Sequence, residues 1–85
     1  MSSAPIVRLY ARPDCHLCDE ARAGLEAMQA DGVVFELEEV DIDGDDRLLH
    51  RYLEKIPVIE LNGEVVNELG LDADGLKARL ATLSR

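Results

Sequence analysis

The chain of 85 residues carries two cysteines, three positions apart, in the run Cys15-His16-Leu17-Cys18. A disulfide across so short a loop takes little entropy from the unfolded chain, so the pair is a poor staple and invites a chemical reading. The run falls where a β-prone segment gives way to a helical one, which puts both sulfurs at a helix N-terminus. Three-residue spacing on a helix brings the side chains onto one face, about 5–6 Å apart at Cβ, close enough to join with modest adjustment. Cys15 takes the more exposed position, where free backbone N–H groups and the helix macrodipole favour a thiolate. Cys18, a turn deeper, lies on the apolar stripe and is shielded. These environments predict roles: Cys15 attacks a disulfide as thiolate, and Cys18 resolves the mixed disulfide by attacking Cys15. His16 and Arg12 add positive character near the thiolate, whereas Asp14, Asp19 and Glu20 oppose it.

Two other readings of the cysteines stay open. They are ordinary helix residues in the first, and Cys18 alone would pass as core, since free cysteine is often buried. In the second they bind a metal. Zinc normally takes four ligands, and only His16 and His50 are available to join the pair. A complete metal site within one chain is not expected; a site shared across a dimer is the alternative.

Pro57 is the second chemical feature. A proline opening a strand fits an edge or strand-start position without further meaning. The functional alternative is a cis bond between Ile56 and Pro57 that presents the Ile56 N–H and C=O beside Cys15. An extended substrate would pair with those groups as a short added strand.

The elements that must position these residues follow from pattern. Residues 6–11 are β-prone and end at Pro13-Asp14, giving β1. Leu17, Cys18, Ala21, Leu25 and Met28 then recur at helical spacing, with Asp14 as the expected N-cap and Gly32 as the stop. Residues 33–42 read as β2, with Val33, Phe35 and Leu37 on one face. The alternation slips at Glu38-Glu39, which predicts a bulge or strand end there. Asp43-Gly44-Asp45-Asp46 marks a turn and helix start, and Leu48, Leu49, Tyr52 and Leu53 form an apolar stripe. Residues 57–61 give β3, and Asn62-Gly63 predicts a type I′ hairpin into β4 at 64–66. Asp72 caps a last helix whose Ala73, Leu76, Leu80 and Leu83 face the core. The first β-α-β is expected to be a right-handed crossover between parallel strands.

Composition narrows the classes. Apolar residues at 47% support a globular fold, and the length supports one domain spanning residues 1–85. A net charge of −9 repels a phosphate backbone, so nucleic-acid binding is not expected; basic protein surfaces are the favoured partners. Met1-Ser2-Ser3-Ala4-Pro5 has neither the basic nor the apolar region of a secretory signal. No apolar run approaches the roughly 20 residues of a membrane span. A cytoplasmic protein is the expectation, and in the cytosol a lone C-x-x-C is more often catalytic or metal-binding than structural. Nothing in the sequence speaks for an oligomer, so a monomer is expected.

Taken together, these features resemble a glutaredoxin-like protein of the thioredoxin fold. The resemblance runs from Ile6 to Ser84: a strand ending in Tyr10, the cysteine pair, Val40-Asp41-Ile42-Asp43, and Ile56-Pro57-Val58 before a hairpin. It implies an α/β fold, β-α-β-α-β-β-α, with a four-stranded mixed sheet in the order β2-β1-β3-β4 covered by helices. It also implies a cis Pro57, Cys15 as nucleophile and Cys18 as resolving thiol. The chain departs from the family in placing His16-Leu17 where glutaredoxins usually carry Pro-Tyr, and Lys55-Ile56 where they carry Thr-Val. Their paired glycines and aspartates, which hold the γ-glutamyl group of glutathione, are echoed only by Gly70 and Asp72, with Leu69 in a second glycine's place. These departures count against carrying glutathione binding over unchanged. Arg12 and Lys55 border the Cys15 groove and are either contacts for a glutathione carboxylate or solvated charges. Asp72 reads first as a helix cap.

The expected activity is thiol–disulfide exchange on protein or glutathione mixed disulfides, with no bound organic cofactor. Glutathione or a thioredoxin-reductase-type flavoenzyme would supply electrons. Substrate contacts are expected from His16, Leu17, Arg12, Lys55, Ile56, Pro57, Gly70 and Asp72. The alternatives are a non-enzymatic module that binds a partner through the Pro57 groove, and a metal or iron–sulfur carrier formed by Cys15 of two chains.

Overall fold

β1 (Ile6–Ala11) is the strand around which the others assemble in the computed structural model, which describes residues 4–83. The expectations that fall on Met1, Ser2, Ser3 and Ser84 lie outside the described residues. After β1 come α1 (His16–Ala30), β2 (Glu36–Asp41), a 3-10 turn (Ile42–Gly44), α2 (Asp46–Tyr52), β3 (Val58–Leu61), β4 (Glu64–Glu68) and α3 (Ala73–Leu83). The strands form one sheet in the order β2-β1-β3-β4. β1 and β2 are parallel, while β3 runs antiparallel to both β1 and β4. This is the architecture expected of a thioredoxin or glutaredoxin fold.

Alternation along β1 sets the two layers. Leu9 sits opposite Glu39 of β2, and Glu39 pairs with Arg22 of α1, so α1 covers the Leu9 face. α3 joins it there: a Cβ added at Gly24 of α1 would lie 2.8 Å from the Leu71 side chain just ahead of α3. Tyr10 points the other way and meets Tyr52 of α2, ring centroids 4.8 Å apart. The core is built from Val7, Leu9, Leu25, Ile42, Val58, Ile59 and Leu76, all buried. Burying each large side chain of this kind is favourable by about 1.5–3 kcal/mol. No helix among the described residues is long and apolar enough to cross a membrane.

Several expected boundaries shift, each for a local reason. Gly32 ends α1 as predicted, at φ 95°, but the Gly32 and Val33 N–H groups donate back to the Gln29 and Met28 carbonyls. This is a Schellman ending, and it commits residues 32–33 to the helix terminus. β2 therefore starts at Glu36, whose N–H donates to the Pro5 carbonyl just ahead of β1 at 2.8 Å. Ile42 leaves the strand to open the 3-10 turn. No bulge occurs at Glu38-Glu39, which stay in register with Arg8 and Leu9. The pattern slips because Glu38 pairs with Arg8 at 2.8 Å and Glu39 with Arg22, on opposite faces. The sheet's irregularity lies instead between Ile59 and Glu60, where β3 meets β4.

Three leucines expected on apolar faces are exposed: Leu17, Leu53 and Leu83. Leu53 is the C-cap of α2, beyond its last full turn. Leu83 ends α3 beside the Asn62 turn, where a shallow groove takes the place of core.

The hairpin forms as its sequence dictates. Asn62 and Gly63 take φ 50° and 89°, and Asn62 also clamps β1. Its side-chain oxygen accepts from the Ile6 N–H, and its own N–H donates to the Ile6 carbonyl, both at 2.9 Å. A methyl group at Gly63 would meet no neighbouring atom, so Gly63→Ala isolates the backbone penalty. The expected loss is about 1 kcal/mol, read as a lower urea midpoint at an unchanged slope.

Candidate active site

The loop from β1 into α1 delivers the cysteines. Asp14 takes φ 60°, a left-handed conformation that aspartate tolerates better than most residues. It is therefore a turn residue, not the expected N-cap. Cys15 is the cap: its backbone is extended, and its sulfur accepts the Cys18 N–H at 3.2 Å. The expected acceptor is displaced by one residue, and sulfur takes the carboxylate's part. A backbone donor aimed at Sγ is also what stabilises a thiolate there once the pair is reduced.

Cys15 and Cys18 are joined as a disulfide, with Cα atoms 5.2 Å apart. Cys15 is half-buried, whereas Cys18 is 0% exposed and packs with Ala21, Leu25 and Met28 on the buried face of α1. Cys15 thus keeps part of its surface exposed while packing against the core, and Cys18 is wholly enclosed.

A second segment meets the same end of the sheet. The Ile56–Pro57 bond is cis, and Pro57 is buried directly before β3. α2 holds this segment in place, because the Tyr52 carbonyl accepts from both the Lys55 and Ile56 N–H groups, at 2.8 and 3.0 Å. The Ile56 N–H is thus occupied within the chain, which corrects the expectation that it is free for an added strand. Tyr52 was legible only as an apolar stripe residue; its role in holding the proline segment had no sequence signal. Burial raises the Tyr52 phenol above its ordinary range, with Arg51 lying over the ring and opposing the shift.

The turn after β4 completes the neighbourhood. The Leu69 N–H donates to the Lys55 carbonyl at 2.9 Å and fastens this turn to the proline segment. Gly70 then lines one groove with Leu17, Glu20, Ala21, Gly24 and Leu71. Leu17 is 48% exposed there because it faces this groove instead of the core. Leu69 takes φ 63°, the conformation that favours glycine, so the position where a second glycine was expected has a glycine's backbone. Asp72 is engaged as a cap: its side chain accepts from the Gly75 N–H at 3.1 Å, and its carbonyl from the Leu76 N–H.

The remaining polar residues are tied to carboxylates. Arg12 pairs with Asp43 at 3.2 Å, Lys55 with Glu68 at 4.0 Å, and His16, largely exposed, with Glu20 at 3.3 Å. Arg22, which the sequence did not single out, binds Glu39 and Asp19, and these hydrogen bonds strengthen its hold on its proton. It lines a second hollow with Arg12, Pro13 and Asp41. Among the described residues no group of three or more His, Cys, Asp or Glu side chains is arranged to hold a metal ion.

A half-buried cysteine capping a helix, joined to a buried one a turn deeper and set on this sheet, defines a thioredoxin-fold protein with a redox-capable disulfide. The chain belongs to the family described as the glutaredoxin-like domain (DUF836), which matches residues 6–81. It is similar to protein Ne2328 of Nitrosomonas europaea, at 31% identity over 93% of this chain and 94% of that one, with a TM-score of 0.78. It is also similar to XcR50 of X. campestris, at 34% identity over 89% of this chain and 96% of that one, TM-score 0.71. A mutant thioredoxin from Halobacterium salinarum shares the fold at 21% identity, covering 96% and 76% of the two chains, TM-score 0.69. A search of curated proteins finds no sequence match.

Proposed function

We propose that the protein is a cytoplasmic thiol–disulfide oxidoreductase that reduces disulfides carried by other molecules. The observation that carries this reading is the asymmetry of the pair: Cys15 is only half-buried and receives a backbone donor on its sulfur, while Cys18 is wholly buried. In the reduced protein the Cys15 thiolate attacks one sulfur of a substrate disulfide, that S–S bond breaks, and a substrate thiolate leaves. Cys18 then gives up its proton and attacks the Cys15 sulfur, which frees the second substrate thiol and forms the internal disulfide. The substrate has gained two electrons and two protons. Glutathione or a thioredoxin-reductase-type flavoenzyme returns the pair to the dithiol. The exchange itself calls for no organic cofactor bound to this chain. In this reading the groove lined by Leu17 and Gly70 receives the substrate chain, and Arg12, His16, Lys55, Ile56, Pro57 and Asp72 are the further residues it would meet.

Cys18→Ser tests this reading. Incubated with a disulfide peptide, the variant should accumulate a one-to-one adduct on Cys15, because the resolving thiol is gone. The wild-type protein should instead end as the internal disulfide with the peptide reduced. Absence of an adduct on the Cys18→Ser protein would refute the assigned roles.

A further inference from the structure

The cations beside the dithiol already face carboxylates. Arg12 faces Asp43, Lys55 faces Glu68, and Arg22 faces both Asp19 and Glu39. The balance of what remains is negative. Asp14, exposed next to Cys15, has no cation partner among the described residues, and Glu20 has only His16 opposite it. Glu20 also lines the groove that Leu17, Ala21, Gly70 and Leu71 make apolar. A substrate chain that reaches Cys15 past Asp14 and along the groove lined by Leu17, two residues on, therefore meets apolar side chains and the Glu20 carboxylate.

We propose that the disulfide exchanged at this site is carried by a polypeptide with lysine or arginine next to its cysteine, in preference to glutathione disulfide. This rests on the oxidoreductase reading above. Glutathione disulfide has four carboxylates to place and would need cations free to receive them. Here each cation must first be drawn from its carboxylate. The N-terminus of α1 does offer positive character, but only about half an elementary charge. The full charges of Asp14 and Glu20 outweigh it. A basic segment meets the opposite situation: its cations are attracted by the same carboxylates, and its apolar neighbours fit beside Leu17. Complementary charge at a rim acts chiefly on the rate of encounter and is screened by salt.

The test compares three probes on the fully reduced protein. Two are cyclic peptides, each closed by one disulfide and identical except for lysine or glutamate beside the cysteines; the third is oxidised glutathione. Acid quenching and intact mass follow formation of the Cys15–Cys18 disulfide, as the probe takes up two electrons and two protons. At low ionic strength the lysine peptide should react at least about tenfold faster than either anionic probe. Raising the salt to roughly 0.5 M should remove most of that gap. Asp14→Asn combined with Glu20→Gln should speed the glutamate peptide and slow the lysine peptide, a reversal that damage to the fold would not produce. Equal rates for the peptides, or glutathione disulfide as the fastest probe, would overturn this specificity and leave the oxidoreductase reading standing. No exchange with any probe would overturn both.

Discussion

Cys15→Ser is expected to lower thiol–disulfide exchange by at least about 10³-fold, to the rate of the buffer thiols alone. A serine hydroxyl does not ionise in the working range and cannot form the mixed disulfide, so nothing replaces the attacking sulfur. Cys18 does not substitute for it, being buried on the core side of α1. The fold should survive the change. Cys15 is the N-cap of α1, accepting the Cys18 N–H, and serine is among the best residues for that position. Circular dichroism and the urea midpoint of the variant should therefore match those of the reduced wild-type protein. Exchange is read by the loss of a disulfide peptide under a fixed supply of reductant. A Cys15→Ser protein that still exchanged at a substantial fraction of the wild-type rate would show that Cys15 is not the nucleophile.

The largest stability effect is expected at Ile59. It is fully buried in β3, pairs with Leu9 on β1 and with Asn67 on β4, and so fills the layer between sheet and helices at its centre. Ile59→Ala removes buried methyl and methylene groups and leaves a cavity that a small sheet closes only in part. The expected cost is about 3–4 kcal/mol. For a domain of this size each kcal/mol moves Tm by roughly 4–8 °C, so calorimetry should show a fall of about 15–20 °C or more. Total stability for such a domain is only about 5–15 kcal/mol, and the variant should lie close to the unfolding threshold. Exposed positions give the contrast. Leu83, half exposed at the end of α3, should cost less than about 1 kcal/mol when changed to alanine.

What could be read from the chain beforehand was governed by whether a feature is local. The cysteine spacing at a strand-to-helix switch, the Asn62-Gly63 hairpin and the Gly32 stop are set by neighbouring residues, and each forms as expected. The sheet order and the cis Ile56–Pro57 bond required the family resemblance, because pairing between distant strands leaves no mark in a short window. Where pattern reasoning went astray, a tertiary contact had taken over. Glu38 and Glu39 looked like an interrupted strand only because their partners, Arg8 and Arg22, come from elsewhere in the chain. Leu17 fitted the apolar period of α1, yet it faces the groove with Gly70 and Leu71. Asp14 had the composition of a cap, but the turn it occupies leaves that role to the sulfur of Cys15. The hold of Tyr52 on Lys55 and Ile56 uses a backbone carbonyl, which no side-chain pattern could reveal.

The central claim is that Cys15 and Cys18 work as one reversible redox couple. Its most direct test equilibrates the protein across graded ratios of reduced to oxidised glutathione, quenches with acid, alkylates free thiols and weighs the intact chain. The account predicts a single transition in which both thiols disappear together into the internal disulfide and return when the ratio is reversed. Two thiols that stay reduced and alkylatable across the whole series would contradict it.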